Sequence, residues 1–305
     1  MHTSLHWIAF NVFVVIAVAL DLGVFHRKTH KILMREALLW SFSWIGLAVT
    51  FGLVLLHFYG RQPALEFFTG YVIEKALSVD NLFVFLVVFR VFAVKDEYQQ
   101  RVLGYGILGA LLLRGVMIAA GAALIARFSW IMFVFGAFIV IAGAHMLVVR
   151  HAESDPEKNF LVRYFSKHLR LTKEYRGANF FVRENGQLFA TPLFLVLLVV
   201  EITDVTFALD SIPAVFGITR DPFIVFTSNV FAILGLRALY FLLAAVLEKL
   251  AYLKVGLALV LIFVGAKMIA EPWLKISVEL SLGIVIGMLL VTVLLSLLAK
   301  KKALR

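Results

Sequence analysis

The chain has 305 residues, 62% of them apolar and 16% charged, with a formal net charge of +10. Ordinary globular domains are roughly 45–50% apolar and about 25% charged, so this composition excludes a soluble protein. Cysteine is absent, which excludes disulfide frameworks, thiolate metal sites and catalytic thiols.

From the N-terminus onward, nine apolar stretches of membrane-crossing length follow one another. They lie at about 4–25, 36–58, 64–89, 102–126, 129–149, 191–216, 222–247, 252–270 and 277–299. None alternates with period two, so the prediction is an all-α, polytopic helical bundle over 1–305 and not a barrel. The opening MHTSLHWIAF has no basic n-region and no small-residue cleavage site, and reads as a retained first span. Of the 29 Lys and Arg, 21 fall on one side of these spans with the C-terminus, and Arg61, Arg127, Arg220 and Lys275 on the other. The positive-inside rule then puts the N-terminus outside and the C-terminus in the cytoplasm. With the basic excess facing an anionic leaflet, the expected partner is the lipid bilayer and not nucleic acid.

The long connection 150–190 holds two elements. KNFLVRYFSKHLR (158–170) sets Phe160, Leu161, Tyr164, Phe165 and Leu169 on one helical face among basic residues, which predicts a helix lying on the membrane surface. Asn185-Gly186, between two short β-prone runs, predicts a hairpin.

An internal repeat appears next. EKALSVDN (74–81) matches DVTFALDS (204–211), LLLRG around Arg114 parallels ILGLRA around Arg237, and GAHM (143–146) parallels GAKM (265–268). The units, 64–149 and 191–270, have three spans each, so an inverted repeat follows. Many secondary transporters are built this way, with a site near mid-membrane at the repeat interface.

Ionisable groups within spans cost about 2.5–3.5 kcal/mol each on insertion scales, so each needs a reason. The acids are Asp21, Glu74, Asp80, Glu201, Asp204 and Asp210; the bases are Lys75, Arg114, Arg237 and Lys267. With all ionised, two negative charges are left over. One divalent cation would neutralise them, and so would two protons in the alternate state of an exchanger. Glu74 and Asn81 share a helix face, as do Asp204 and Ser211, and Glu201 and Asp204. Pro213 removes the donor to the carbonyl of Leu209, which predicts a kink or opening beside Asp210. Carboxylates, an amide, a hydroxyl and freed carbonyls suit Mg, Ca or Mn rather than zinc or copper. Glu74, Asp80, Asn81, Glu201, Asp204, Asp210 and Ser211 are therefore the candidate metal ligands. Arg114 and Arg237 read as braces to an acid, with Lys267 similar. Asp21 lies near the cytoplasmic end of its span, Asn229 is a ligand or an interhelical hydrogen bonder, and Lys75 is given no role. His145, near the inner end of the fifth span, is not counted among the ligands.

EKALSVDNLFVF (74–85), EITDVTFALDSIPAVF (201–216), DPFIVFTSNVFAILGLRALYF (221–241) and ALDLGVFHR (19–27) are similar to the TerC/Alx family of bacterial membrane proteins, the Alx branch above all. The resemblance covers nearly the whole chain. It implies an inner-membrane location, paired acidic motifs as the functional core, and manganese export. By position it makes Glu74, Asp80, Asp204 and Asp210 the core acids, with Glu201 the extra acid of that branch. Some relatives are tied to membrane-protein assembly or metalation of secreted enzymes.

Three classes compete on these residues. The first is a secondary transporter exporting Mn²⁺, with protons as the balancing ion and no permanent cofactor. The second is a scaffold or assembly factor whose buried charges only brace helices. The third, an intramembrane aspartyl protease, would need two buried Asp in a dyad. Its Gly-x-Gly-Asp motif is missing, since Asp80 follows Ser78-Val79 and Asp210 follows Ala208-Leu209. No phosphate-binding loop occurs either, which argues against an ATP-driven pump. A carrier, not an enzyme, is the expectation.

Overall fold

The computed structural model describes residues 4–26, 34–128, 130–148, 170–172, 174–184, 186–244 and 252–303. The expected surface helix at 158–170 lies outside the described residues but for its last position. The described elements are α1 (Ser4–His26), α2 (Met34–Tyr59), α3 (Arg61–Val91), α4 (Asp96–Arg127), α5 (Ile131–Val148), β1 (Phe181–Glu184), β2 (Gln187–Ala190), α6 (Pro192–Phe216), α7 (Pro222–Ile233), α8 (Leu236–Ala244), α9 (Leu253–Ala270) and α10 (Val278–Ala303). Eight of the nine expected stretches coincide with one helix each, and 222–247 coincides with the pair α7 and α8, bent by 41° at their junction. Among the described residues, six helices are long and apolar enough to cross a membrane, seven if the bent pair is one span. Of the remaining two, α3 has the length but carries Glu74, Lys75 and Asp80 near its middle, and α9 is shorter. The chain is a polytopic helical membrane protein.

Backbone irregularity is not where Pro213 suggested. α6 runs unbroken through Pro213, which sits in its last turn, so the donor it removes from the carbonyl of Leu209 does not end the helix. The break lies instead at Leu234-Gly235, where Gly235 adopts φ +83° against the ring of Trp44. A side chain there would be strained and would collide with the indole.

The helices of the two sequence units pack in matching ways. α3 packs on α7 as α6 packs on α4, α3 and α6 face each other, and α5 and α9 form the most extensive pair. Small residues set that last pair's close approach. A Cβ on Gly143 would lie 2.8 Å from the carbonyl of Ala258 and 2.9 Å from Ile262 Cγ1; one on Gly265 would lie 2.6 Å from the carbonyl of Gly136 and 2.9 Å from Val140 Cγ2. Gly143 and Gly265, Gly136 and Ala258, and Val140 and Ile262 are each 122 positions apart. The two contact sets are therefore one set with the partners exchanged, the mark of a local two-fold axis. As α5 advances from 136 to 143 its partner recedes from 265 to 258, so the two helices are antiparallel. Gly265→Val should abolish recovery of monodisperse protein in fluorescence-detected gel filtration. Gly283→Val, where a Cβ meets nothing within 4 Å, should leave it unchanged.

α1 lies outside both units and docks through aromatic rings. Phe10 contacts Phe51, Phe223, Phe226 and Phe231, and Phe51 stands 4.9 Å from Phe231. The hairpin forms as expected, with Phe181 paired to Ala190 and Glu184 to Gln187 about Gly186 at φ +78°. Nearby, the hydroxyl of Tyr175 donates to the carbonyl of Phe92 at 2.6 Å, which ties this connection to the end of α3.

Candidate functional site

Arg114, in α4, is 1% exposed and is the centre of the site. Its Nε donates to Asp204 Oδ2 at 3.0 Å and its Nη2 to Asp204 Oδ1 at 2.9 Å, a bidentate fork on α6. Its Nη1 donates to Glu74 Oε1 on α3 and lies 3.4 Å from Asn229 Oδ1 on α7. Ser211 Oγ, two turns after Asp204, donates to the same Glu74 Oε1 at 3.3 Å. All five residues are buried. One guanidinium thus joins four helices, and the two acids it holds are 130 positions apart, at matching places in the two sequence units.

Helical spacing explains why these side chains meet. Asp204 and Ser211 are seven apart and share a face of α6, as the sequence predicts. Two carboxylates against one guanidinium leave a formal charge of −1, and Glu201 adds another. Its carboxyl group lies directly over Gly109 on α4, where any side chain would collide with it. Three buried oxygens have no hydrogen-bond partner: Glu74 Oε2, on the clamp's own carboxylate, Glu201 Oε2, three residues before Asp204, and Asn81 Oδ1, two turns beyond Glu74. Asn229 Nδ2 has no partner either. An unsatisfied buried oxygen is costly, above all on a carboxylate, so each of the three calls for an explanation. Asp210 is only half-buried, and the side chain of Asp80 lies outside the described residues. Among the described residues, no three carboxylates or imidazoles approach closely enough to hold an ion, and Arg114 stands between Glu74 and Asp204.

The second arginine departs from the pattern of the first. Arg237, on α8, donates from Nη2 to the carbonyl of Asp21 at 2.7 Å, and its Nε lies 3.6 Å from Asp21 Oδ2. Both residues are buried, which places Asp21 inside the bundle and gives α1 an electrostatic anchor as well as an aromatic one. Asp21→Ala should lower the apparent melting temperature by several degrees, since breaking a buried ion pair strands its cation. Asp21→Glu should restore most of the loss. Lys267 has Glu271 and Glu66 as its charged neighbours. His145 is exposed.

Sequence reasoning missed Lys75. Its Nζ donates to the carbonyl of Ala232 at 3.0 Å and reaches the carbonyl of Leu234 at 3.5 Å, at the broken end of α7. The signal was available in ILGLRA, where a glycine interrupts a span and must free carbonyls.

The comparisons with known proteins agree with this architecture. Residues 59–304 match the model of the integral membrane protein TerC family. The chain is 50% identical over 297 residues to the "Uncharacterized membrane protein STKORF319" of Myxococcus xanthus, covering 97% of this chain and 93% of that one. It is 48% identical over 299 residues to the Escherichia coli K12 protein named "Putative membrane-bound redox modulator Alx", covering 95% and 93%. A Rickettsia bellii membrane protein is 39% identical over 294 residues, covering 96% and 97%. No solved structure matches the chain. A family match over most of the length, and relatives of this identity from end to end, have one reading: the chain belongs to the integral membrane protein TerC family.

Proposed function

We propose that this protein is a secondary transporter exporting divalent metal cations, Mn²⁺ above all, across the bacterial inner membrane in exchange for protons. The observation that carries the reading is the convergence of Glu74 and Asp204, from matching positions of two sequence units, on one buried arginine. The antiparallel, two-fold contact of α5 with α9 supports an inverted repeat with the nine-span orientation described above. In such a protein the same elements can form an outward and an inward arrangement.

In this account Arg114 is a tethered counter-cation. With the metal absent, it neutralises part of the acid cluster and keeps two carboxylates tolerable inside the bilayer. A divalent ion takes its place by drawing on Glu74, Asp204, Glu201 and Asn81, whose oxygens are of the hard type such ions require. Protons arriving at the acids release the ion and let the guanidinium return. The redox role in the name of some relatives belongs to those proteins; this chain has no cysteine through which to exchange thiols.

The test is uptake of Mn²⁺ into liposomes holding the purified protein, followed by quenching of an enclosed metal-sensitive dye. Quenching should exceed that of protein-free liposomes, and an imposed proton gradient should accelerate it. Equal quenching with and without protein would favour the scaffold reading, in which the charges only hold helices together.

A further inference from the structure

The break in the α7–α8 pair carries chemistry that the acid cluster does not use. α7 ends with Leu234 N–H bonded back to the carbonyl of Val230 at 2.9 Å, and Gly235 then turns the chain at φ +83°. The last carbonyls of a helix have no N–H donor within it, and together they carry the negative end of the helix dipole. In the interior of a membrane protein, such carbonyls need a cation or a donor. Here two of them, Ala232 and Leu234, face Lys75 Nζ at 3.0 and 3.5 Å. Both partners of this ammonium among the described residues are backbone carbonyls, although Lys75 directly follows an acid that is itself engaged elsewhere. Trp44 packs against Gly235 at the turn.

We propose that the α7–α8 break is a carbonyl-lined seat for a small monovalent cation of the primary ammonium class, and that Lys75 fills it with its own side chain. What the seat requires is the positive charge and the N–H donors; the aliphatic stem is a tether. The seat sets the bend between α7, which carries Asn229 to the clamp, and α8, which carries Arg237 to Asp21. Lys75 is thus a positioning residue for both. Because the seat is filled from within, no sodium ion can occupy the break.

Chemical rescue separates a cation seat from simple packing. Lys75→Ala deletes three methylenes and the amine, a fragment equivalent to n-propylammonium. The full-length variant, purified in detergent, should melt about 5 °C below the parent, the scale of one lost charged hydrogen-bond interaction. Millimolar n-propylammonium should restore that loss in a saturable manner, whereas n-propanol and N-methylglucamine should not. Lys75→Arg should melt near the parent and Lys75→Met well below it, without rescue because the methionine fills the space. That pair decides the matter if the alanine variant cannot be recovered. Rescue by n-propanol equal to that by n-propylammonium, or a methionine variant as stable as the parent, would overturn the proposal. A further arm rests on the transport reading: Mn²⁺ flux should be equal in sodium and N-methylglucamine media, and sodium dependence would contradict the filled seat. The melting arms do not depend on transport, so the two readings can fail separately.

Discussion

Arg114→Ala is expected to remove most of the folded protein from the membrane. Its side chain links α3, α4, α6 and α7, and without it two buried carboxylates face one another with no cation between them. Removing one partner of a buried ion pair costs about 3–5 kcal/mol, and here a single truncation strands two acids. Total stability is about 5–15 kcal/mol in ordinary domains, so a loss of this size is severe. Arg114→Lys should recover only part, because a point charge cannot reproduce the two-pronged contact with Asp204. Combining Arg114→Ala with Glu74→Gln and Asp204→Asn should recover more, since no stranded charge remains. The measurements are monodisperse yield and apparent melting temperature. An alanine variant that folds normally but prefers a different ion would overturn the bracing role.

Glu74→Gln and Asp204→Asn should have the opposite profile, with folding kept and transport lost. With glutamine at 74, the fork between Arg114 and Asp204 stays intact and becomes a neutral pair, and the amide oxygen still accepts from Nη1. With asparagine at 204, one oxygen still accepts from the guanidinium and Glu74 supplies the balancing charge. Neither change leaves an excess buried charge larger than the one already present. A hard divalent ion, however, gives up its hydration for charged oxygen ligands, and an amide is a poorer substitute. Mn²⁺ uptake into everted vesicles, which is export in their inverted orientation, should fall by about 100-fold or more in each variant, on the scale by which ligand charge tunes such sites. In the parent, efflux should also weaken as the external face is made alkaline, because the balancing protons become scarce. Normal efflux from both amide variants, at normal expression, would make these acids structural.

Much of this arrangement is legible in the sequence because its causes are local. Span length and apolar content place the helices, and the Asn185-Gly186 pair places the hairpin. The spacing of Asp204 and Ser211 puts them on one face of α6, where Ser211 donates to Glu74 and Asp204 holds the arginine that Glu74 shares. The need of a buried arginine for an acid is equally general, so Arg114 and Arg237 read as braces before any geometry is known. Partner choice is another matter. Arg237 takes Asp21 rather than a motif acid because α1, outside both units, is drawn in by the rings of Phe10 and Phe13 against Phe231. That contact is tertiary and leaves no trace in spacing. The irregular backbone was misplaced for a related reason. Pro213 is a conspicuous breaker but falls in the last turn of α6, while Gly235 is a modest signal at a place where Trp44 and Lys75 complete the break. Likewise, no pattern in the sequence shows that Arg114 stands between Glu74 and Asp204, since only the packing of α3 against α6 brings those two residues to the same point.

The claim at the centre of this account is that a divalent ion can replace Arg114 between the two acids. Anomalous diffraction at the manganese edge, from crystals grown with Mn²⁺, tests it most directly. The account predicts a peak inside the bundle between α3 and α6, ligated by Glu74 and Asp204 carboxylate oxygens, with the guanidinium of Arg114 withdrawn from at least one of them. Saturating Mn²⁺ with no peak there, and Arg114 still clamped to both acids, would contradict it.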